Sequence, residues 1–401
     1  MRFRPMIKPA LAVLAMLSVA AHLVGCTALA KAPPANGHLV IVGGALKETN
    51  QEVYGRIASL AGQGKIGVVP TATGVPEESI PGAVGRIEKH TGEGGTVVVD
   101  IRFDHPEEAA NPKWEKAIDD SSGLFFLGGD QSRILNAFRP ESGDTISYAA
   151  CMRLLDRGGF ISGTSAGAAM MSDPMIQGGS STAALKMGVT DVVSEDDSNG
   201  VKIGKGMGFF PYGLTDQHFL ERGRLGRLVV ALDKTGQRFG YGIAEDRALL
   251  VDLSKHELAG LGGARAVLVV DMGSVKREGK AFHNIRLSLL NSGDAVDSGT
   301  GAVTPAAGQT PYVIPSDSGA KELTADDAWA SQAIPDLMTG LVTTGAARAV
   351  ALDPNFEVIL MLDNKVRAWV GNGDAAKTPT IANMRMDIVP RAAETASAVA
   401  R

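Results

Sequence analysis

Cysteine is nearly absent from this chain: 401 residues contain 2. Cys26 lies in an N-terminal segment read below as a targeting signal, which leaves Cys151 alone. One cysteine cannot close an internal disulfide, so the core must hold the fold, even in an oxidising compartment. Cys151 itself, within Tyr148-Ala149-Ala150-Cys151-Met152, reads as a small buried hydrophobe. Aromatic residues are also scarce, at 5% against 49 glycines. That argues against an aromatic-lined carbohydrate groove and for tight strand-to-helix turns. Neither sign of charge dominates: the net charge of −5 gives no support for a nucleic-acid partner. The histidines lack H-E-x-x-H spacing and there is no cysteine pair, so no metal site is expected. Gly43-Gly44 and Gly62-Gln63-Gly64 do not complete a dinucleotide fingerprint, so no nucleotide cofactor is expected either. No internal repeat is found, and no membrane-spanning run follows the N-terminal segment.

Residues 1–30 have the make-up of an export signal. Arg2, Arg4 and Lys8 give a positive start, and Ala10 to Val24 is apolar apart from Ser18 and His22. Such a run is short for a membrane span and suits a secretory signal. Leu23-Val24-Gly25-Cys26 resembles a bacterial lipobox, which would make Cys26 a lipidated first residue. The expectation is an exported outer-membrane or periplasmic lipoprotein, whose only tie to a membrane is the lipid at Cys26. Cleavage after Ala28-Leu29-Ala30 would instead give a free secreted protein.

From His38 onward, apolar runs alternate with amphipathic ones. Strands are expected at 39–42, 66–69, 96–101, 124–127 and 160–162, and helices at 52–61, 77–91, 113–120 and 145–156. This order predicts an α/β fold, a parallel sheet with helices on both faces. Beyond residue 172 the pattern loosens. Residues 178–208 read as a long loop or hairpin region, 219–234 as a helix, and 242–251 and 266–270 as strands. The expected layout is an α/β domain over 31–290, a loop or linker over 291–320 and a β-rich appendage over 321–401.

Gly163-Thr164-Ser165-Ala166-Gly167 follows the strand ending at Ser162 and reads as a nucleophile elbow. Glycines two residues either side let a serine sit on a sharp strand-to-helix turn with its Oγ exposed. Ligands in such sheets bind beyond the carboxyl ends of the strands, which places Gly128-Gly129 and Ser165 at the same end. A serine nucleophile needs a base and an acid that orients it. Among the histidines, His218 stands apart in Leu214-Thr215-Asp216-Gln217-His218-Phe219. Asp216 could cap the helix that follows. Gly223 and Gly226 among Arg222, Arg224 and Arg227 are poor helix formers and suggest close backbone approach beside a site needing positive charge.

Three segments together, Gly128-Gly129-Asp130-Gln131, Gly163-Thr164-Ser165-Ala166-Gly167-Ala168 and Asp216-Gln217-His218-Phe219 with Arg222, Arg224 and Arg227, resemble the successive motifs of the cyanophycinases. These are serine peptidases of the S51 family, which also includes an aspartyl dipeptidase. The resemblance spans roughly residues 39–250 and implies a class-I-glutaminase-like, flavodoxin-like fold. It also implies Ser165 as nucleophile and His218 as base. For the acid it points to Glu245, in Gly240-Tyr241-Gly242-Ile243-Ala244-Glu245-Asp246, with Glu195 and Asp196 as rivals in a polar loop. A carboxylate ending a strand is the more rigidly placed, which favours Glu245. Ala244 departs from the family's usual aspartate.

Oxyanion donors would be the N–H groups of Ala166 and of Gly129 or Asp130. Gln131, Asp216, Gln217 and the three arginines would line the substrate pocket. The implied substrate is cyanophycin, a polyaspartate whose β-carboxylates each carry an arginine in isopeptide linkage, with β-aspartyl-arginine as product. Export suits degradation of scavenged polymer. A homodimer is compatible with the resemblance. The competing expectations are an S51 peptidase acting on short aspartyl peptides, an α/β-hydrolase esterase using His256 or His283, and a non-catalytic polymer-binding lipoprotein.

Overall fold

The computed structural model describes residues 36–192, 198–316, 321–371 and 378–391, besides Met1. The chain from residue 36 opens with β1 (His38–Val42), α1 (Gln51–Ala61), β2 (Ile66–Val69), α2 (Pro76–Thr91) and β3 (Thr96–Val98). It continues through α3 (Pro112–Asp119), β4 (Gly123–Phe126), α4 (Gln131–Phe138), α5 (Ile146–Asp156), β5 (Phe160–Thr164) and α6 (Ala166–Ala169). Strands β1, β5, β4, β2 and β3 lie side by side in that order and pair in parallel.

Alternation along β1 explains why both faces of this sheet are covered. Val40 and Val42 point into a cluster with Val53 and Ile57 of α1 and Ala83 and Ile87 of α2. Leu39 and Ile41 enter the opposite cluster with Ile118, Ile134 and Leu154, from α3, α4 and α5. Every residue of β2 and β4 is buried, as expected of strands sandwiched between helix layers.

Between the elbow and the base, α7 (Ser181–Met187) packs beside a small sheet. That sheet is formed by β6 (Met175–Gly178), β7 (Val189–Thr190) and β8 (Val201–Gly204). The described part of the 178–208 segment is thus more ordered than its Gly-Ser-Asp composition suggested. The chain then enters a second sheet at β9 (Leu214–Asp216), followed by α8 (Leu225–Thr235) and β10 (Phe239–Ile243). Next, β11 (Ala248–Asp252) and β12 (Glu257–Leu261) return to the first sheet, where β11 pairs antiparallel with β1. Strand β13 (Val267–Asp271) goes back to the second sheet against β10.

The single strand expected over 242–251 is therefore two strands in two sheets. The corner between them is fixed by Asp246, at φ 58°, whose N–H donates to the Gly44 carbonyl at 2.8 Å. The helix expected over 219–234 begins only at Leu225. His218 and Gly223 have φ of 45° and 54°, which helical backbone does not allow.

Residues 291–310 hold two short strands, Ala295–Asp297 and Val303–Thr304, that extend the first sheet beyond β12. The stretch is pinned by the fully buried Asp294. Its carboxylate accepts from the N–H groups of Asn291 and Ala306 and from Gln309 Nε2 at 2.7–2.8 Å. The β-rich C-terminal region joins the second sheet through Thr380–Pro390, paired with Ala281–Leu290.

Candidate active site

The elbow is built by close packing of backbone. A Cβ on Gly163 would lie 2.3 Å from the Gly167 carbonyl oxygen, and one on Gly167 would lie 2.6 Å from that of Phe126. Only glycine fits at either position. Between them Ser165 adopts φ 54° and ψ −109°, a backbone that costs a non-glycine residue on the order of 1–3 kcal/mol. Its N–H donates to the Val42 carbonyl at 3.1 Å, so β1 holds the turn that lifts Oγ above the sheet.

His218 arrives from the other sheet. It follows β9, and its N–H donates to the Gly43 carbonyl at 2.6 Å. A Cβ on Gly44 would fall 2.2 Å from His218 Cε1, so the imidazole lies on bare backbone. Gly43-Gly44 thus seats His218, a role not expected from the sequence, although a glycine pair ending a strand was its signal. Ser165 Oγ lies 2.8 Å from His218 Nε2. Nδ1 lies 2.5 Å from Glu245 Oε1, and Glu245 stands just beyond β10. A carboxylate only accepts, so Nδ1 carries the proton and Nε2 presents its lone pair to the serine. Strands β9 and β10 pair in parallel, with Asp216 opposite Gly242, which brings His218 and Glu245 to the same sheet end. The Glu245 N–H donates to Glu221 Oε2 at 3.0 Å. Glu195 and Asp196 lie outside the described residues.

The His218 imidazole is held below its ordinary pKa, chiefly by burial. Arg222 and Arg224 push the same way, against the Glu245 carboxylate. A base works neutral, so depression keeps it competent to lower pH. The acid limb of kcat/KM should therefore have its inflection below the usual histidine value of about 6.5, with activity lost as pH falls through it. A limb centred above that value in a pH–rate profile would contradict this electrostatic picture.

Of the expected oxyanion donors, the Asp130 N–H is already donated to the Ala72 carbonyl at 3.0 Å. That leaves Gly129 and Ala166 as the backbone candidates. Gly129 has φ 142°, and a Cβ there would lie 2.0 Å from the Ala72 carbonyl oxygen.

The residues expected to line the substrate pocket separate into two groups. Asp216 and Arg227 are 1% and 2% exposed and bonded to each other, with Nε and Nη2 on the two carboxylate oxygens at 2.8 and 2.5 Å. Arg227 Nη1 also donates to the Gly179 carbonyl at 2.8 Å. Asp216 therefore ends a strand and neutralises Arg227, instead of capping the helix. Arg224 donates to the Gln217 carbonyl and to its Oε1 at 2.6 and 2.7 Å. Gln131 donates Nε2 to the Gln177 carbonyl at 2.8 Å. These five side chains are buried, whereas Arg222 is exposed.

A cavity of about 420 Å³ opens on Ser165 and His218, with Thr164, Gly128, and Tyr54 and Arg86 from α1 and α2 also in its lining. Neither Tyr54 nor Arg86 was anticipated. An arginine on an amphipathic helix reads as solvated surface, and a tyrosine at an apolar position reads as core.

No family model matches the chain. A cyanophycinase from Nostoc sp. is 30% identical over 267 residues, 64% of this chain and 83% of that protein. A cyanophycinase from Geminocystis herdmanii is 29% identical over 266 residues, 64% of this chain and 91% of that protein. Among solved structures, a peptidase from an acI-B1 actinobacterium aligns over 69% of this chain and 97% of its own with 15% identity and a TM-score of 0.45. The extent of the match to the Nostoc protein places the chain in the cyanophycinase family of serine peptidases.

Proposed function

We propose that this protein is an exported peptidase that degrades cyanophycin to β-aspartyl-arginine through an acyl-enzyme. The observation that carries the reading is the Ser165–His218–Glu245 relay, with contacts of 2.8 and 2.5 Å, in a chain of this family. Ser165 Oγ attacks a backbone carbonyl of the polymer as His218 Nε2 takes its proton. The tetrahedral oxyanion draws on the N–H groups of Ala166 and Gly129. Collapse expels the amine, which receives the proton from His218, and leaves an ester on Ser165. Water then attacks that ester with His218 again as base, and the serine is restored. Glu245 holds the imidazole in the productive tautomer and stabilises its charged form. Arg222, exposed beside the base, supplies positive charge for substrate carboxylates.

Incubation of purified protein with insoluble cyanophycin, followed by mass spectrometry of the supernatant, tests this directly. Release of β-Asp-Arg is expected. If nothing is released by a protein that still reacts with a fluorophosphonate, the substrate is a short aspartyl peptide. A folded protein that does neither is a binding protein.

The export reading rests on the lipobox-like Leu23-Val24-Gly25-Cys26, which lies outside the described residues. Cys26→Ser should move the protein from the membrane to the soluble fraction on cell fractionation. A protein that is soluble before the change as well would favour cleavage after Ala30.

A further inference from the structure

The cavity beside Ser165 has a definite electrostatic character. Arg86 is its one fixed cation, and no carboxylate side chain is among its lining residues. Among the described residues no carboxylate pairs with the Arg86 guanidinium. Tyr54, 3% exposed, accepts a hydrogen bond from it, and burial raises the phenol above its ordinary pKa against the pull of the guanidinium. The tyrosine is therefore a neutral neighbour that cannot discharge the arginine. Ile87 and Ala83, also on α2, join Leu46, Phe125 and Leu127 in giving the cavity apolar walls. A guanidinium held between apolar walls without an ion partner favours an anionic guest, and its fork of donors suits a carboxylate. The same surroundings penalise a second cation.

We propose that Arg86 is a specificity-determining residue that binds a carboxylate of the substrate unit whose carbonyl Ser165 attacks. This rests on the peptidase reading of Ser165. Before attack the aspartyl-arginine unit carries one free carboxylate, the α-carboxylate of its arginine. Its aspartyl α-carboxyl is the carbonyl that Ser165 attacks and becomes a carboxylate only in the product. The guanidinium of the unit is directed away from Arg86, toward the open side of the site.

The test is protection of Ser165 from fluorophosphonate labelling in the full-length protein, with each variant referred to its own rate without competitor. The competitors are β-Asp-Arg, its arginine carboxamide and its aspartyl α-carboxamide. For the wild type, the acid should protect at a concentration at least about tenfold below that of the arginine carboxamide, with the aspartyl α-carboxamide as the control that keeps the arginine carboxylate. Arg86→Gln should raise the protecting concentration of the acid by about 10- to 100-fold and remove its advantage over that amide. Arg86→Lys should keep part of it.

A purely structural arginine would change all three competitors alike, and that result would overturn the proposal. So would a wild type that the acid and both amides protect equally. Polymer digestion on the same preparations separates the two readings. Product release without an acid-over-amide preference removes the Arg86 assignment and leaves the polymer reading. The preference without release does the reverse. A wild type that the reagent does not label removes the nucleophile and this inference with it.

Discussion

Ser165→Ala should lower turnover by on the order of 10⁴-fold or more while leaving the unfolding midpoint almost unchanged. The hydroxyl contributes one hydrogen bond, to His218, and sits half-exposed on its turn. The strained backbone is held by other groups, the packed Gly163 and Gly167 and the Val42 carbonyl. Alanine meets the same conformational cost as serine, so folding loses little. Product release and thermal melts on matched preparations check both halves. A rate near wild type would mean another nucleophile, and a collapsed melt would mean that the hydroxyl holds the elbow together.

Breaking the Asp216–Arg227 pair should have the largest effect on stability. Both groups are almost wholly buried, and each satisfies the other through two hydrogen bonds. Among the described residues, Arg227→Ala leaves the buried carboxylate with only the Gln217 N–H and the more distant Arg224, 3.8 Å away, and should cost roughly 3–5 kcal/mol in urea unfolding. It should also impair catalysis, because Asp216 stands two residues before the base. Asp216→Asn combined with Arg227→Met removes both charges and should cost less than the sum of the single changes, since neighbours in one network are not additive. Additive losses would show that the two side chains act independently.

The elbow was legible in the sequence because its requirement is local. Gly163 and Gly167 are demanded by backbone within five residues of sequence and by one neighbouring strand. The same is true of the parallel order β1 to β5, written in alternating apolar and amphipathic runs. His218 was legible as part of a dense polar motif, and Glu245 as a carboxylate ending a strand. The partition into two sheets was not legible. Strands β10 and β11 are both largely apolar and follow each other closely along the chain, and only the Asp246 corner separates them. The Asp216–Arg227 bond was hidden for a related reason. Charge in a motif looks available for substrate until tertiary structure shows which charges already have partners. Arg86 was missed because it lies 79 positions before Ser165 in the numbering, on a helix whose pattern is that of ordinary surface.

The location of the base has a mechanical consequence. His218 leaves β9, the outermost strand at one end of a sheet whose other end is formed by Leu323–Ala325, while the nucleophile stands on the first sheet. Both are nevertheless tied to one strand end, Ser165 through the Val42 carbonyl and His218 through the Gly43 carbonyl. The end of β1 thus works as a gauge block clamped between two sheets and sets the gap between the reacting atoms. A misplacement of about 1 Å there is worth roughly 10²-fold in rate, so a change that shifts the Val42–Gly43 backbone can detune catalysis without altering either reacting side chain.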